Sequence, residues 1–245
     1  MFVGLTTLPS RIAKLGSTIE SLLAQTLPPE AIFISLPRRS VRENCSYYLP
    51  EWLEPAPRGV HVLRPERDYG PATKLLGCLP RIGRDACLIV VDDDMHYKPF
   101  LVERLYEAQI GRRDTSFSFF VRETGHFAVG QGADGLSFWT PNLTGIDAFA
   151  AAVLQSRHLF VEDDLWISLF LQDRGIALVS LQHTLPEGEL VYAATHRDNQ
   201  LSDLPADLAR PSAIQEGLRF LLRGDLLGPR VREQCALTVT ETAAE

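Results

Sequence analysis

The run ACLIVVD at residues 86–92 is the feature that most constrains the fold. It is too short for an ordinary helix and apolar without alternation, so as a strand it must be covered on both faces. Such a strand belongs inside a sheet flanked by helices, and its parallel neighbours require crossover connections. Three successive carboxylates, Asp92, Asp93 and Asp94, follow it directly. Three like charges side by side repel one another and gain nothing from burial, so they need a partner.

The rest of the first half supplies the expected neighbours. FVGLT (2–6), AIFISL (31–36) and GVHVL (59–63) read as strands. The segment 9–26 carries Ile12, Leu15, Ile19, Leu22 and Leu23 at helical spacing, and ATKLLGCL (72–79) and FLVERLYEAQ (100–109) read as helices. The second half is less regular. It offers a strand at 116–120, helices at 145–156 and 163–175, a strand at 176–180 and a helix at 211–222. Strands alternating with helices predict an α/β fold with a mainly parallel central sheet flanked by helices.

At 245 residues the chain is long enough for one substantial core or two small ones. No internal repeat, low-complexity segment or Gly/Ser linker divides it, so a single domain over 1–236 is expected, with 237–245 a frayed tail. A net charge of −7 argues against a nucleic-acid surface. No stretch reaches the roughly 18 apolar residues that a membrane span needs. Cys45, Cys78, Cys87 and Cys235 lie far apart without CxxC spacing, which suggests neither a zinc site nor a disulfide framework. With no basic lead and long apolar segment at the N-terminus, the chain reads as cytoplasmic and reduced.

Ligands of an open α/β sheet collect at the carboxyl ends of its strands, where the three aspartates sit. If the chain stays extended there, Asp92 and Asp94 share one direction and Asp93 points elsewhere. Two hard carboxylates on one point suit Mg²⁺ or Mn²⁺ shared with a substrate's phosphates, whereas an acidic turn left in solvent would need no ligand. Four other segments favour the ligand. TTLPSR (6–11) ends the first strand with hydroxyls and a helix start, and RDYGPATKLLG (67–77) places Asp68 and Lys74 around a turn. GQGADGLSFW (130–139) is a glycine-rich loop in which Gly135 and Trp139 are candidates to meet an acceptor, although Trp139 and Phe138 have equally the pattern of core aromatics. VEDDLWIS (161–168) starts an apolar helix with three acids, more than the helix dipole asks for.

In that order, GLTTLPSRI, DYGPATKL, a strand followed by DDD, and EDDLWIS with DRGI after it resemble nucleotide-sugar glycosyltransferases of the GT-A fold, in the inverting, family-2-like branch. The resemblance covers residues 2 to about 200. It implies a Rossmann-like GT-A domain that moves a sugar from a nucleoside-diphosphate donor, UDP-sugar favoured, to a carbohydrate or other hydroxyl acceptor with the help of Mn²⁺ or Mg²⁺. Thr6, Thr7, Arg11, Asp68, Lys74, Asp92 and Asp93 would contact the nucleotide sugar. Asp94 and Asp92 would hold the metal, with His196 a further candidate ligand. Asp163 would be the catalytic base, with Asp164 its neighbouring alternative. Two features depart from the pattern. The usual acid after the second strand is replaced by LPRRS, and the arginine-and-tryptophan motif of processive relatives is absent.

Rival functions fare less well. A metal-dependent phosphohydrolase needs a nucleophilic aspartate near the first strand, and FVGLTTLPS has none. A nucleotidyltransferase is nearer in fold, but TTLPSR lacks the glycine-rich basic loop used on triphosphates. A non-catalytic protein that binds nucleotide sugars or carbohydrate is the alternative outside enzymes.

Overall fold

The structure is a computed structural model and describes residues 1–124, 126–196 and 203–242. Its first half builds β1 (Phe2–Leu5), α1 (Gly16–Leu23), β2 (Ala31–Ser35), β3 (Val60–Leu63), α2 (Thr73–Leu76) and β4 (Cys87–Val90). Then come β5 (Met95–Tyr97), α3 (Leu101–Gly111), β6 (Thr115–Ser118), β7 (Val121–Glu123), β8 (Ala128–Gly130) and β9 (Leu136–Trp139). The remainder comprises α4 (Ile146–Val153), α5 (Arg157–Val161), α6 (Asp163–Asp173), β10 (Ala177–Ser180), β11 (Tyr192–Ala194), α7 (Arg210–Arg223) and α8 (Pro229–Thr242).

Seven strands form one sheet in the order β10-β6-β9-β4-β1-β2-β3. Every neighbouring pair is parallel except those of β9, which runs antiparallel to β4 and β6. The mainly parallel sheet read from the sequence is present. β4 lies at its middle with every residue buried, and its alternation divides two cores. Leu88 and Val90 face one with Phe138 and Trp166, while Cys87, Ile89 and Val91 face the other with Leu101 and Leu105. α6 is buried through Leu171 because it is apolar on all sides.

Several elements depart from the sequence reading. Residues 136–139, read as part of a loop, are the inserted central strand β9. β5 and β11, not foreseen, pair antiparallel as a small ribbon beside the aspartates. α8 runs through Thr242, past the residue 237 where fraying was expected, because Val231 and Cys235 are buried and Val239 packs against the core. All four cysteines are free, and among the described residues no helix is long and apolar enough to cross a membrane.

Candidate active site

The carboxyl ends of β1, β2 and β4 open onto a cavity of about 630 Å³. Its wall carries Thr6, Thr7, Arg11, Asp68, Lys74, all three aspartates of DDD, Asp163 and Asp164. Residues separated by more than 150 positions therefore meet at one place. Arg42, Phe160 and Arg210 line it too, and none of these was singled out from the sequence. Arg42 sits in the basic loop after β2, which gave a signal only as a departure from the family pattern. Arg210 opens α7 ahead of Pro211, and nothing local shows that this helix returns to the cavity.

The three aspartates do not divide as strand alternation predicts. β4 ends at Val90 and the chain turns at Asp93 and Asp94, so side chains beyond Asp92 no longer alternate. Asp92 accepts a hydrogen bond from Lys74 Nζ at 2.9 Å. Asp93 is gripped by Arg11, whose Nε donates at 3.0 Å and whose Nη2 donates to the other oxygen, and by the Thr7 hydroxyl. Arg11 Nη1 lies 3.6 Å from Asp94. Their protein partners are thus two different cations, Lys74 for Asp92 and Arg11 for Asp94.

Lys74 is not in an exposed turn. It belongs to α2, is 3% exposed, and holds Asp163 at 3.1 Å and Asp164 at 4.0 Å as well as Asp92. Burial works against its ammonium, but Asp163, Asp92 and Asp164 outweigh burial and raise the lysine well above its ordinary pKa. Burial likewise works against Asp92, and Lys74 reverses it to keep that carboxylate below the usual range. The position of Lys74 is set by Gly4 on β1. A Cβ there would fall 2.5 Å from the Lys74 carbonyl oxygen, so glycine lets α2 lie directly on the sheet. Lys74 lines the cavity with its ammonium already engaged by these carboxylates.

Asp68 is similarly occupied. Its Oδ1 accepts from Gly70 N at 2.8 Å and its Oδ2 from Val41 N at 2.6 Å, tying the turn to the loop after β2. Thr6 donates to the Ser35 carbonyl at 2.7 Å, and the Thr7 carbonyl accepts from Tyr47 at 2.8 Å. These residues shape the wall of the cavity. Burial, and then the nearby charge of Arg11, lower the pKa of Arg42. Two guanidiniums on one cavity wall make that wall favourable to an anion.

Asp163 and Asp164 open α6 behind Glu162. Glu162 is 2% exposed and accepts from Arg210 Nε at 2.9 Å, so it serves to anchor α7. Asp164 Oδ1 accepts from Gly132 N at 3.1 Å. Burial, and then the charge of Asp163, push Asp164 up to about 7.

Asp94 is 7% exposed, and burial with the charges of Asp92 and Asp93 raises it to about 6. The β5–β11 ribbon brings His196 near it, since Ala194 pairs with Met95 and Thr195 N donates to the Asp94 carbonyl at 2.8 Å. A hard carboxylate in excess negative charge, with an imidazole next to it, is a donor set that fits Mn²⁺ or Mg²⁺. Among the described residues no group of three or more His, Cys, Asp or Glu side chains forms a ready metal shell.

The two acceptor-side candidates lie elsewhere. Trp139 pairs with Cys87 at the amino end of β4, because β9 runs antiparallel and each step beyond Leu136 leads away from the aspartates. Its indole donates to Asp85 at 2.9 Å and stacks under Arg113. Gly135 is buried at φ 74°, where a Cβ would fall 2.7 Å from Leu105, so it serves the turn into β9. The same loop does reach the site through Gly132, where a Cβ would fall 2.5 Å from Lys74 Nζ.

No protein-family model matches the sequence, and no curated protein matches it significantly. Solved structures do match. The mannosyltransferase PcManGT from Pyrobaculum calidifontis, in complex with GDP-Man and Mn²⁺, superimposes with a TM-score of 0.58 at 12% identity, over 99% of this chain and 74% of that one. TarS 1-349 from S. aureus in complex with UDP-GlcNAc gives 0.57 at 13% identity, over 98% of this chain and 70% of that one.

Proposed function

We propose that this chain, which has the GT-A fold of these nucleotide-sugar glycosyltransferases, is itself a single-domain glycosyltransferase that moves a sugar from a nucleoside-diphosphate donor, UDP-sugar favoured, to an acceptor hydroxyl with inversion. The observation that carries the reading is the cavity at the strand ends, where paired guanidiniums stand on one side and a carboxylate poised near neutral pH on the other. The neighbours' GDP-Man and UDP-GlcNAc support a donor of this class.

An acceptor hydroxyl is a poor nucleophile, so a positioned carboxylate must take its proton as the oxygen bonds to the anomeric carbon. Asp164 suits that role. It is fixed by Gly132 N, stands farther from Lys74 than Asp163 does, and has a pKa near 7, so it is substantially ionised and still basic at neutral pH. Asp163, the base that the resemblance favours, is committed to Lys74 at 3.1 Å and positions that ammonium. As the sugar's bond to the diphosphate breaks, negative charge grows on the leaving oxygen, and Arg11 and Arg42 lie where they can offset it. Asp94 and His196 would hold a divalent ion, which supplies Lewis-acid stabilisation of the same charge when bound.

The test is calorimetry with UDP- and GDP-sugars in the presence of Mn²⁺, followed by product analysis with simple sugar acceptors. Metal-dependent donor binding and transfer of the sugar with inverted anomeric configuration are expected. Donor binding with neither transfer nor hydrolysis would make the chain a binding protein.

A further inference from the structure

Of the cations that line the cavity among the described residues, Arg11, Arg42 and Lys74 serve the diphosphate or the acids, and Arg210 serves neither. Arg210 opens α7 and is fixed by one edge only. Its Nε donates to the buried Glu162 at 2.9 Å, which holds the guanidinium from behind. The arginine side chain is itself 39% exposed, and among the described residues its two terminal nitrogens have no hydrogen-bond partner. A guanidinium held through Nε keeps its Nη edge, a pair of parallel N–H donors, for an oxyanion that can accept from both.

Glu162 does not neutralise this corner by itself. Arg122 on β7 has a buried Nε without a hydrogen-bond partner, and burial, then the nearby charge of Arg210, lower its pKa while Glu162 raises it. One carboxylate thus lies near two guanidiniums, and a further anion is favoured there.

Position decides which anion. Arg11 and Arg42 enter the cavity from the loops after β1 and β2, whereas Arg210 enters from α7 together with Ala209 and Pro211. It is bonded to the residue that caps α6 ahead of Asp163 and Asp164, and its charge favours the ionised forms of Asp164 and Asp92. An acceptor whose hydroxyl reaches Asp164 therefore brings its neighbouring atoms within range of Arg210, while the diphosphate has the other two arginines.

On the glycosyltransferase reading, we propose that Arg210 binds the acceptor, and that this acceptor carries an oxyanion, a phosphate or a carboxylate, near the hydroxyl that receives the sugar. Both Nη groups donate to the oxyanion while Nε keeps its bond to Glu162. Arg210 orients the acceptor and takes no part in proton transfer.

The experiment is calorimetry of the parent, Arg210→Lys and Arg210→Gln, first with UDP and GDP in the presence of Mg²⁺. Protein saturated with whichever nucleotide binds is then titrated with glucose, glucose-6-phosphate, glucuronate and inorganic phosphate. Melting curves confirm that each variant is folded, and the lysine keeps a cation beside the buried Glu162. The parent should hold at least one of the anions about 10- to 100-fold more tightly than glucose, and the phosphate and carboxylate arms tell the two oxyanions apart. Arg210→Gln should lose that preference and Arg210→Lys part of it, with the nucleotide held as in the parent. A nucleotide-bound parent that takes no anion better than glucose, or a preference that survives in Arg210→Gln, would overturn the assignment. Loss of the nucleotide as well in the folded variants would also overturn it, by moving Arg210 to the diphosphate. A parent that binds no nucleotide would overturn the glycosyltransferase reading and this inference with it.

Discussion

Two cation-centred clusters share the cavity and differ in how much charge is left over. At the Arg11 cluster a forked guanidinium grips Asp93 with two donors, leaving Asp94 at 3.6 Å as a loosely held carboxylate. At the Lys74 cluster one buried ammonium stands among three carboxylates, and a backbone amide assists one of them. The planar fork fixes geometry, whereas the point charge can be shared. The first cluster is therefore suited to hold a cation and a diphosphate in a set place. The second keeps a proton acceptor near neutrality, because its shared cation cannot satisfy every acid.

Breaking the second cluster at its acceptor should have the largest effect. Asp164→Asn should lower turnover by roughly 10² to 10⁴ with little change in donor affinity, as steady-state kinetics and calorimetry would show. If Asp163→Asn alone abolishes turnover and Asp164→Asn is active, the two residues exchange roles. If both variants turn over normally, no base acts here.

Replacing the cations separates the clusters by stability. Lys74→Met leaves two nearly buried acids, Asp163 and Asp164, and the partly exposed Asp92 without their ammonium and should cost about 3–5 kcal/mol in denaturant unfolding. Arg11→Met should cost less, about 1–3 kcal/mol, because Asp93 keeps Thr7. Equal losses would mean that the contrast between the clusters is not energetic.

The leftover charge also predicts a pH dependence. Asp164 at about 7 and Asp94 at about 6 both lie above the unfolded carboxylate value. These two groups thus bind more protons in the folded chain than in the unfolded one between about pH 4 and pH 7, and their contribution to stability falls as pH rises through that window. Metal-free protein should melt at a higher temperature at pH 5 than at pH 7.5. Mn²⁺ should restore part of the difference at pH 7.5 in the parent and less in Asp94→Asn. A rising melting temperature over that range would contradict the charge balance drawn here.

The smallest effect should lie outside both clusters. Trp139→Phe removes the bond to Asp85 and weakens stacking under Arg113, at about 1 kcal/mol of stability, with kinetics unchanged for donor and acceptor. A selective rise in acceptor KM would return Trp139 to the site.

Local pattern carried the first half of the fold because parallel strands covered on both faces are written as uninterrupted apolar runs, and β1 to β4 follow them closely. It also fixed the identity of the acids, since DDD and EDD stand at a strand end and a helix start whatever surrounds them. Tertiary structure decided everything that depends on reach. The alternation argument for Asp92 and Asp94 failed because a strand's period holds only while the chain stays extended, and here it turns. β9 is short and joins the sheet through partners distant in sequence, so its apolar residues looked like a loop's aromatics. Lys74 and Asp68 line the cavity with their charged groups already engaged, the lysine by Asp92, Asp163 and Asp164 and the aspartate by the Gly70 and Val41 amides, and only the folded chain shows it. Arg210 gained significance only when α7 returned to the strand ends. Propensity and periodicity are properties of neighbouring residues, but the pairing of buried charges depends on distances that only the folded chain sets.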